Sequence, residues 1–177
     1  MAVLEILRYP DPRLRNPGKV VTAFDDKLAK LVDDMAETMY AAPGVGLAAP
    51  QVGVSARLYI IDVAAGEDAP SELRVFVNPE IVESRGEIDW DEGCLSFPGA
   101  REEIKRAEWV RVRAQDASGK TFELESDGLL AIAIQHEGDH LDGKLMIDRI
   151  GVLRKRMLHR RMEKAAQTGR RALEGCR

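Results

Sequence analysis

Two histidines four residues apart, His136 and His140, lie in the segment AIAIQHEGDHLDGKL at residues 131–145. Residues i and i+4 share one face of an α-helix, so both imidazoles can reach a single cation. Glu137 is displaced from His136 by about 100° around the helix, which places its carboxylate beside the cation rather than on the ligand face. The pattern predicts metal-dependent hydrolysis with Glu137 as the general base.

The alternative is a coincidental H-E-x-x-H pattern on a surface helix, and two observations disfavour it. The chain has three histidines, and two of them lie in this motif. The preceding LLAIAI at residues 129–134 predicts a buried helix, where unpaired histidines and acids would be costly. Gly138 inside the motif costs about 1 kcal/mol of helix propensity, so we expect another group to pack closely against it.

Two imidazoles leave the site incomplete, and a third ligand must come from elsewhere in the chain. The candidates downstream of the motif are Asp142, Asp148, His159 and Glu163. We expect His159, within RKRMLHRRM, to be a solvated polar residue. Upstream, Cys94 follows a glycine in DEGCLSFPG and precedes a segment that resembles a strand. A lone cysteine is usually a small buried hydrophobe, but one thiolate and two imidazoles would form a three-ligand site with a fourth position open.

The elements that must position these residues predict an α+β fold. A helical turn is expected at residues 10–14, with Asp11 as its cap and Pro12 at its first position. Amphipathic spacing predicts a helix at 25–42, Asp127 and Gly143 bound the metal helix, and a basic helix follows at 148–168. Strands are predicted at 57–63, 74–84, 86–92, 108–116 and 120–126. We expect mostly antiparallel strands around a buried central metal-binding helix, with an N-terminal helix and a basic C-terminal helix.

Composition bounds the class of protein. A chain of 177 residues with 45% hydrophobic and 32% charged residues fits one globular domain over residues 1–177. The net charge of −4 argues against DNA as a general partner, although residues 149–177 form a basic C-terminal helix and tail. The start of the chain lacks a secretory segment, and no apolar run approaches the roughly 18 residues of a membrane span. We expect a cytoplasmic protein in which Cys94 and Cys176 are not joined by a disulfide.

Three motifs resemble those of peptide deformylase in order and separation: GVGLAAPQVG at 44–53, EGCLSFPG at 92–99 and QHEGDHLDG at 135–143. The resemblance extends to ILRYPDPRLR, VDDMAETMYAAPG, VNPE and DGLLAIAIQHE, and covers the chain to about residue 165. It implies a metal bound by Cys94, His136 and His140, and an activity that removes the formyl group from N-formylmethionyl peptides. The implied metal is Fe²⁺, replaceable by Ni²⁺, Co²⁺ or Zn²⁺; the donor set alone does not choose among them.

The resemblance also implies roles for other residues. Glu137 would pass the water's proton to the departing amine, while the Gln51 side chain and the Leu95 backbone N–H would stabilise the oxyanion. We expect Gly44 and Gly46 to allow a bent backbone near the substrate. The predicted substrate-binding residues are Val45, Gly46, Gly93, Arg101, Leu129, Ile132 and Ala133, with His136 as a further wall of the methionine pocket. The family often has Cys where Ala133 stands and a large apolar residue where Gly138 stands.

Two other functional classes fit parts of the sequence. A peptidase of the H-E-x-x-H type would cleave internal peptide bonds and tolerate replacement of Cys94. A ribosome- or RNA-binding module would use the basic C-terminal helix, and the same helix could dock an enzyme on ribosomal RNA. Alternatively, that helix is solvated on one face and packs Leu153, Met157 and Met162 on the core.

Overall fold

A central helix packs against an antiparallel sheet and carries the histidine motif. The computed structural model describes residues 2–64 and 70–174, with side chains as far as residue 168. The helices are α1 (Asp26–Ala41), α2 (Gly128–Leu141) and α3 (Val152–Glu174). The strands are β1 (Gly46–Ala48), β2 (Leu58–Ile61), β3 (Arg74–Arg85), β4 (Ile88–Gly93), β5 (Arg101–Arg106), β6 (Trp109–Gln115) and β7 (Thr121–Asp127). Short 3-10 turns span Pro12–Arg15, Ala49–Val52 and Met146–Asp148.

The strands form two sheets, and every pairing is antiparallel. The larger sheet has the order β1-β2-β3-β6-β7, and β4 and β5 form a separate two-stranded sheet. Apolar side chains of α2, among them Ala131 and Ile134, share one core with inward residues of the large sheet. This arrangement confirms the α+β prediction and the burial of the metal helix.

The sequence pattern predicted five strands and missed two. β1 contains three residues, which is too short for an alternating pattern. β5 has the sequence REEIKR, and its two buried positions are Ile104 and Arg106. Because one of the inward side chains is an arginine, β5 has no visible alternation of apolar and polar residues.

The predicted helix ends are mostly confirmed. Asp11 accepts a hydrogen bond from the Arg13 amide, and Asp25 caps α1 through the amides of Lys27 and Leu28. Asp127 occupies the N-cap position of α2, but its side chain makes no capping hydrogen bond, so that part of the prediction is wrong. Gly143 follows the end of α2 with φ of 69°, a conformation that favours glycine.

The C-terminal helix begins later and packs differently than the sequence predicted. A 3-10 turn occupies Met146–Asp148, and α3 starts at Val152. Met162 is buried as expected, but Leu153 is 74% exposed and Met157 is 65% exposed, so neither packs on the core. Among the described residues, no helix combines the length and apolar composition needed to cross a membrane. Cys176 lies outside the described residues.

Candidate metal centre

Three potential ligands converge at the junction of α2 and the end of β4. The donor atoms of Cys94, His136 and His140 all lie within 4.8 Å of one another, and Cys94 Sγ is 3.4 Å from His140 Nε2. Metal–sulfur and metal–nitrogen bonds are about 2.3 and 2.1 Å long, so the separation of Cys94 Sγ and His140 Nε2 is short enough for one ion to bind both atoms. Residues 95–98 form a turn rather than the expected strand-like segment, closed by a 2.9 Å hydrogen bond from the Phe97 amide to the Cys94 carbonyl.

A buried carboxylate orients one of the two imidazoles. His136 Nδ1 lies 2.7 Å from Glu92 Oε2. Arg106 donates to the same carboxylate through Nε, at 2.6 Å from Oε1, and through Nη2, at 2.9 Å from Oε2. Because Nδ1 is engaged by Glu92, Nε2 of His136 is the nitrogen left for a metal, as in other carboxylate–histidine–metal arrangements.

Burial and neighbouring charges set the protonation of these groups. Burial lowers the pKa of His140 well below its ordinary value, which favours the neutral ring that ligates metals. For His136, burial acts in the same direction, but the neighbouring Cys94 and Glu92 raise its pKa well above the ordinary value. Burial would also raise the pKa of Glu92, but the hydrogen bonds from Arg106 and His136 lower it.

The Glu137 carboxyl group is buried beside the three donors and forms no ion pair with the described residues. Its Oε2 atom has no hydrogen-bond partner among the described residues. Its Oε1 atom lies against Gly46, where an added Cβ would come within 2.5 Å. Burial raises the pKa of Glu137 to about 7, so near neutral pH the group exists in both protonation states. A carboxyl group in this condition can both accept and return a proton.

Gln51 is held with its amide nitrogen directed toward the cysteine. Its Oε1 accepts a 2.9 Å hydrogen bond from the Ala48 amide, which fixes the orientation of the side chain. Its Nε2 donates to Ser96 Oγ at 3.1 Å and lies 3.6 Å from Cys94 Sγ. The Leu95 N–H donates to no acceptor among the described residues. Two N–H donors therefore lie next to the candidate ligands.

A cavity of about 760 Å³ opens beside this cluster. Its walls include all of the residues expected to bind substrate: Val45, Gly46, Gly93, Arg101, Leu129, Ile132 and Ala133. Gln51, Cys94, Leu95, His136 and Glu137 line it as well. Leu129 is exposed to this space rather than packed in the core. Arg101 is mostly exposed and pairs with Asp91, with Nε 2.6 Å from Oδ2.

The other candidate ligands are engaged elsewhere. Asp142 pairs with Arg57 at 3.1 Å, and Asp148 pairs with Arg15. His159 is not simply solvated as expected: its Nδ1 lies 2.7 Å from the Tyr9 hydroxyl, and its Nε2 lies 3.2 Å from Glu163. Cys94 is therefore the candidate third donor, and a thiolate with two imidazoles fits a transition metal with a coordination position left open.

Comparison with known proteins assigns the family. The family model described as "Polypeptide deformylase" matches residues 3–156. The chain belongs to this family. Peptide deformylase from Alkalilimnicola ehrlichii is 48% identical over 170 residues, covering 96% of this chain and 94% of that protein. Peptide deformylase 1 from Ralstonia nicotianae is 52% identical over 165 residues, covering 93% and 96%.

A solved structure agrees with this assignment. The crystal structure of a peptide deformylase from Legionella pneumophila has a TM-score of 0.89 and 49% identity, covering 96% of this chain and 99% of that one. As a peptide deformylase, the chain is a metal-dependent hydrolase that removes the N-terminal formyl group from nascent N-formylmethionyl peptides and releases formate. This assignment sets aside both alternatives, the peptidase of internal bonds and the non-enzymatic RNA-binding module.

Glycines of this deformylase serve purposes that the sequence did not indicate. Neither Gly44 nor Gly46 has a positive φ, so neither backbone conformation itself requires glycine. A Cβ at Gly44 would come 2.8 Å from the Leu95 side chain, and Gly46 makes room for Glu137. The expectation of close packing at Gly138 is wrong, because no described atom beyond the two neighbouring residues and the adjacent helix backbone lies within 4 Å of an added Cβ. Gly138 instead lines a second cavity, of about 560 Å³.

Sequence reasoning also missed residues that support the site. Glu92 stands two positions before the cysteine ligand, and the general need of metal-bound histidines for an outer carboxylate could have identified it. The sequence did not identify Arg106, because the charged segment REEIKR around it is typical of a solvent-exposed strand. Trp90 and Phe97 line the first cavity but were not among the predicted residues.

Proposed function

We propose that this peptide deformylase holds its metal through Cys94, His136 and His140 and uses Glu137 as the proton carrier of hydrolysis. The observation that carries the proposal is the convergence of those three donor atoms within 4.8 Å of one another, beside a cavity that contains the Glu137 carboxyl group. Each donor is a type that binds iron, nickel, cobalt or zinc.

Glu137 moves one proton during the reaction. A divalent cation held by the three donors would supply Lewis acidity, polarising the formyl carbonyl and favouring deprotonation of water. Glu137 accepts the proton of the attacking water at its unpaired Oε2 and delivers it to the methionine nitrogen. A carbon–oxygen bond forms at the formyl carbon and the carbon–nitrogen bond breaks, so that formate and a free amine leave. The pKa of about 7 supports both transfers near neutral pH.

Gln51 and Leu95 stabilise the negative charge that develops on the formyl oxygen. The Gln51 amide is already oriented by its hydrogen bond from Ala48, so little reorganisation accompanies the reaction. The free N–H of Leu95 is the second donor. Loss of one such donor typically lowers the rate by about 100- to 1,000-fold.

The substrate binds as an extended peptide along β1. β1 lies at the edge of the five-stranded sheet, and an edge strand offers backbone groups to an added strand. Val45 and Gly46 supply backbone groups at the start of β1, Gly93 supplies them at the end of β4, and Arg101 meets the substrate backbone at the rim. The methionine side chain enters the apolar part of the cavity formed by Leu129, Ile132 and Ala133, bounded by His136.

Two substitutions separate the roles of ligand and proton carrier. Cys94→Ala is expected to lose bound metal, whereas Glu137→Ala is expected to retain metal and lose turnover. Metal content per chain and formate release from formyl-Met-Ala-Ser are measured for both variants. Unchanged metal stoichiometry in Cys94→Ala would defeat the ligand assignment.

We further propose Fe²⁺ as the physiological ion, with Ni²⁺, Co²⁺ or Zn²⁺ able to substitute. Anaerobic assay of the protein reconstituted separately with iron, nickel and zinc tests this assignment. Iron should give high turnover that air abolishes, because Fe²⁺ and the Cys94 thiolate are both oxidisable. Equal turnover with zinc, insensitive to air, would argue against iron.

We also propose that residues 1–177 act as a single catalytic domain in the cytoplasm, where nascent chains emerge, and that residues 149–177 approach the ribosome. α3 supports this placement, because Leu153 and Met157 project into solvent on a helix rich in arginine and lysine. Positive side chains would bind the phosphates of ribosomal RNA, and the exposed apolar side chains would contact the same surface.

A further inference from the structure

A chain of charged contacts leads from a candidate metal ligand to the base of α3. It starts at His136, whose Nδ1 lies 2.7 Å from Glu92. Arg106 donates hydrogen bonds to both carboxylate oxygens of Glu92. The remaining donor of Arg106, Nη1, lies 2.7 Å from Asp139 Oδ2. Arg149 forms a bidentate pair with Asp139 from the other side, with Nε 2.5 Å from Oδ2 and Nη2 2.5 Å from Oδ1.

Burial makes the balance of charge in this chain important. The side chains of Arg106, Glu92 and Asp139 are 2%, 3% and 9% exposed. Arg149 is 38% exposed and forms the surface end of this series of contacts. The four groups sum to zero charge. Without Arg149, two buried carboxylates would share the single guanidinium of Arg106, and uncompensated buried charge is strongly unfavourable.

We infer that Arg149 is a positioning residue for the metal centre, acting through Asp139, Arg106 and Glu92 on His136. This inference rests on the metal site proposed above. Arg106 can keep both of its hydrogen bonds to Glu92 only while Arg149 donates hydrogen bonds to Asp139. When Asp139 loses Arg149, it competes for the donors of Arg106, and Glu92 is then free to rotate with the His136 ring that it holds.

The alternative is that Arg149 only stabilises the fold, and Arg57 provides the matched control. Arg57 also pairs with an acid near the C-terminal end of α2, at 3.1 Å from Asp142, and is partly exposed at 27%. It lines the same second cavity as Arg149. Asp142, however, is not part of the series of charged contacts that leads to His136. A purely structural role predicts similar consequences for Arg149→Ala and Arg57→Ala.

The experiment measures Zn²⁺ affinity of the full chain by competition with a colorimetric chelator, and thermal unfolding of the metal-free protein. Arg149→Ala should weaken Zn²⁺ binding by about 3- to 30-fold, while Arg57→Ala should leave it unchanged. Glu92→Gln alters the direct partner of His136 and sets the upper limit for the loss of Zn²⁺ affinity, about 10- to 100-fold. Arg149→Lys keeps the charge but loses the fork, and its affinity should fall between wild type and Arg149→Ala. The visible absorption of Co²⁺-loaded Arg149→Ala should also shift, because the donor geometry changes.

The outcomes are distinguishable. Unchanged Zn²⁺ affinity and Co²⁺ absorption in Arg149→Ala would overturn the positioning role, even if the variant unfolds at a lower temperature. If Arg149→Ala does not fold, Arg149→Lys and Arg149→Gln take the same measurements and the same criterion. Zn²⁺ binding by Cys94→Ala as tight as that of wild type would instead refute the proposed metal site, and the positioning role with it.

Discussion

Gly46 and Glu137 are in contact beside the candidate metal centre, and a Cβ added at Gly46 would lie 2.5 Å from Glu137 Oε1. Gly46 lacks a positive φ, so its backbone conformation does not require glycine. The missing side chain instead provides the space that the buried carboxylate occupies. The GVGLAAPQVG motif, which contains β1, is thus in steric contact with the H-E-x-x-H motif of α2. About 90 residues separate Gly46 from Glu137 in the sequence.

Gly46→Ala is expected to displace the Glu137 carboxylate while leaving the three metal donors in place. A misplacement of about 1 Å can cost about 100-fold in rate, and we expect kcat for formate release to fall by that order with metal content unchanged. Gly138→Ala is the control, because it adds the same methyl group where no described atom beyond the two neighbouring residues and the adjacent helix backbone lies within 4 Å. Full activity of Gly46→Ala would mean that the contact does not position Glu137.

Gln51→Glu is expected to lower kcat by about 100- to 1,000-fold, the usual cost of losing an oxyanion donor. The carboxylate can still accept the hydrogen bond of the Ala48 amide, so the local turn keeps its acceptor, but the N–H donor is lost. Ser96→Ala is the comparison, since it removes an acceptor of the same amide group and retains the donor. Metal content is measured alongside formate release. Equal losses in the two variants would argue against an oxyanion role for Gln51.

Local sequence information was sufficient for the metal helix and for most of the fold. The spacing of His136 and His140 places both rings on one face of a helix, and the apolar residues before them predict its burial. The cap at Asp11 was predictable because a capping side chain bonds to an amide two or three residues away. The chemical demand for a third ligand made Cys94 one of several candidates, and the resemblance to peptide deformylase singled it out.

What the sequence did not reveal depends on contacts between distant segments. β5 was missed because the buried Arg106 interrupts its apolar pattern, and this side chain pairs with Glu92 and Asp139 on other elements. The exposure of Leu153 likewise depends on how α3 meets the core, since a helical pattern does not specify which apolar residues contact it. Gly46 gives no local sign that it accommodates Glu137. These features follow from tertiary packing rather than from propensity.

Gly138→Ala is expected to stabilise the protein, because glycine inside a helix is less favourable than alanine by about 1 kcal/mol. Beyond the two neighbouring residues and the adjacent helix backbone, the added methyl group meets no described atom within 4 Å, so no tertiary contact opposes the gain. For a chain of this size the gain corresponds to a rise in Tm of about 2–4 °C. Gly143→Ala should do the opposite, because Gly143 has a φ of 69° and an added Cβ would collide with the Arg15 carbonyl. Thermal unfolding of both variants measures the difference, and an unchanged or lower Tm in Gly138→Ala would contradict the account of this position.

Charge reversal on α3 tests ribosome docking without shortening the chain. Arg156 and Arg160 are exposed on α3, and Arg156→Glu/Arg160→Glu should weaken co-sedimentation with ribosomes while formate release from free peptide stays unchanged. Each lost phosphate contact should reduce the slope of log affinity against log salt by about 1. Lys27→Glu/Lys120→Glu is the matched control, because it changes the net charge equally at exposed positions away from α3. If both double variants weaken co-sedimentation alike, the effect belongs to net charge and α3 is not the docking surface.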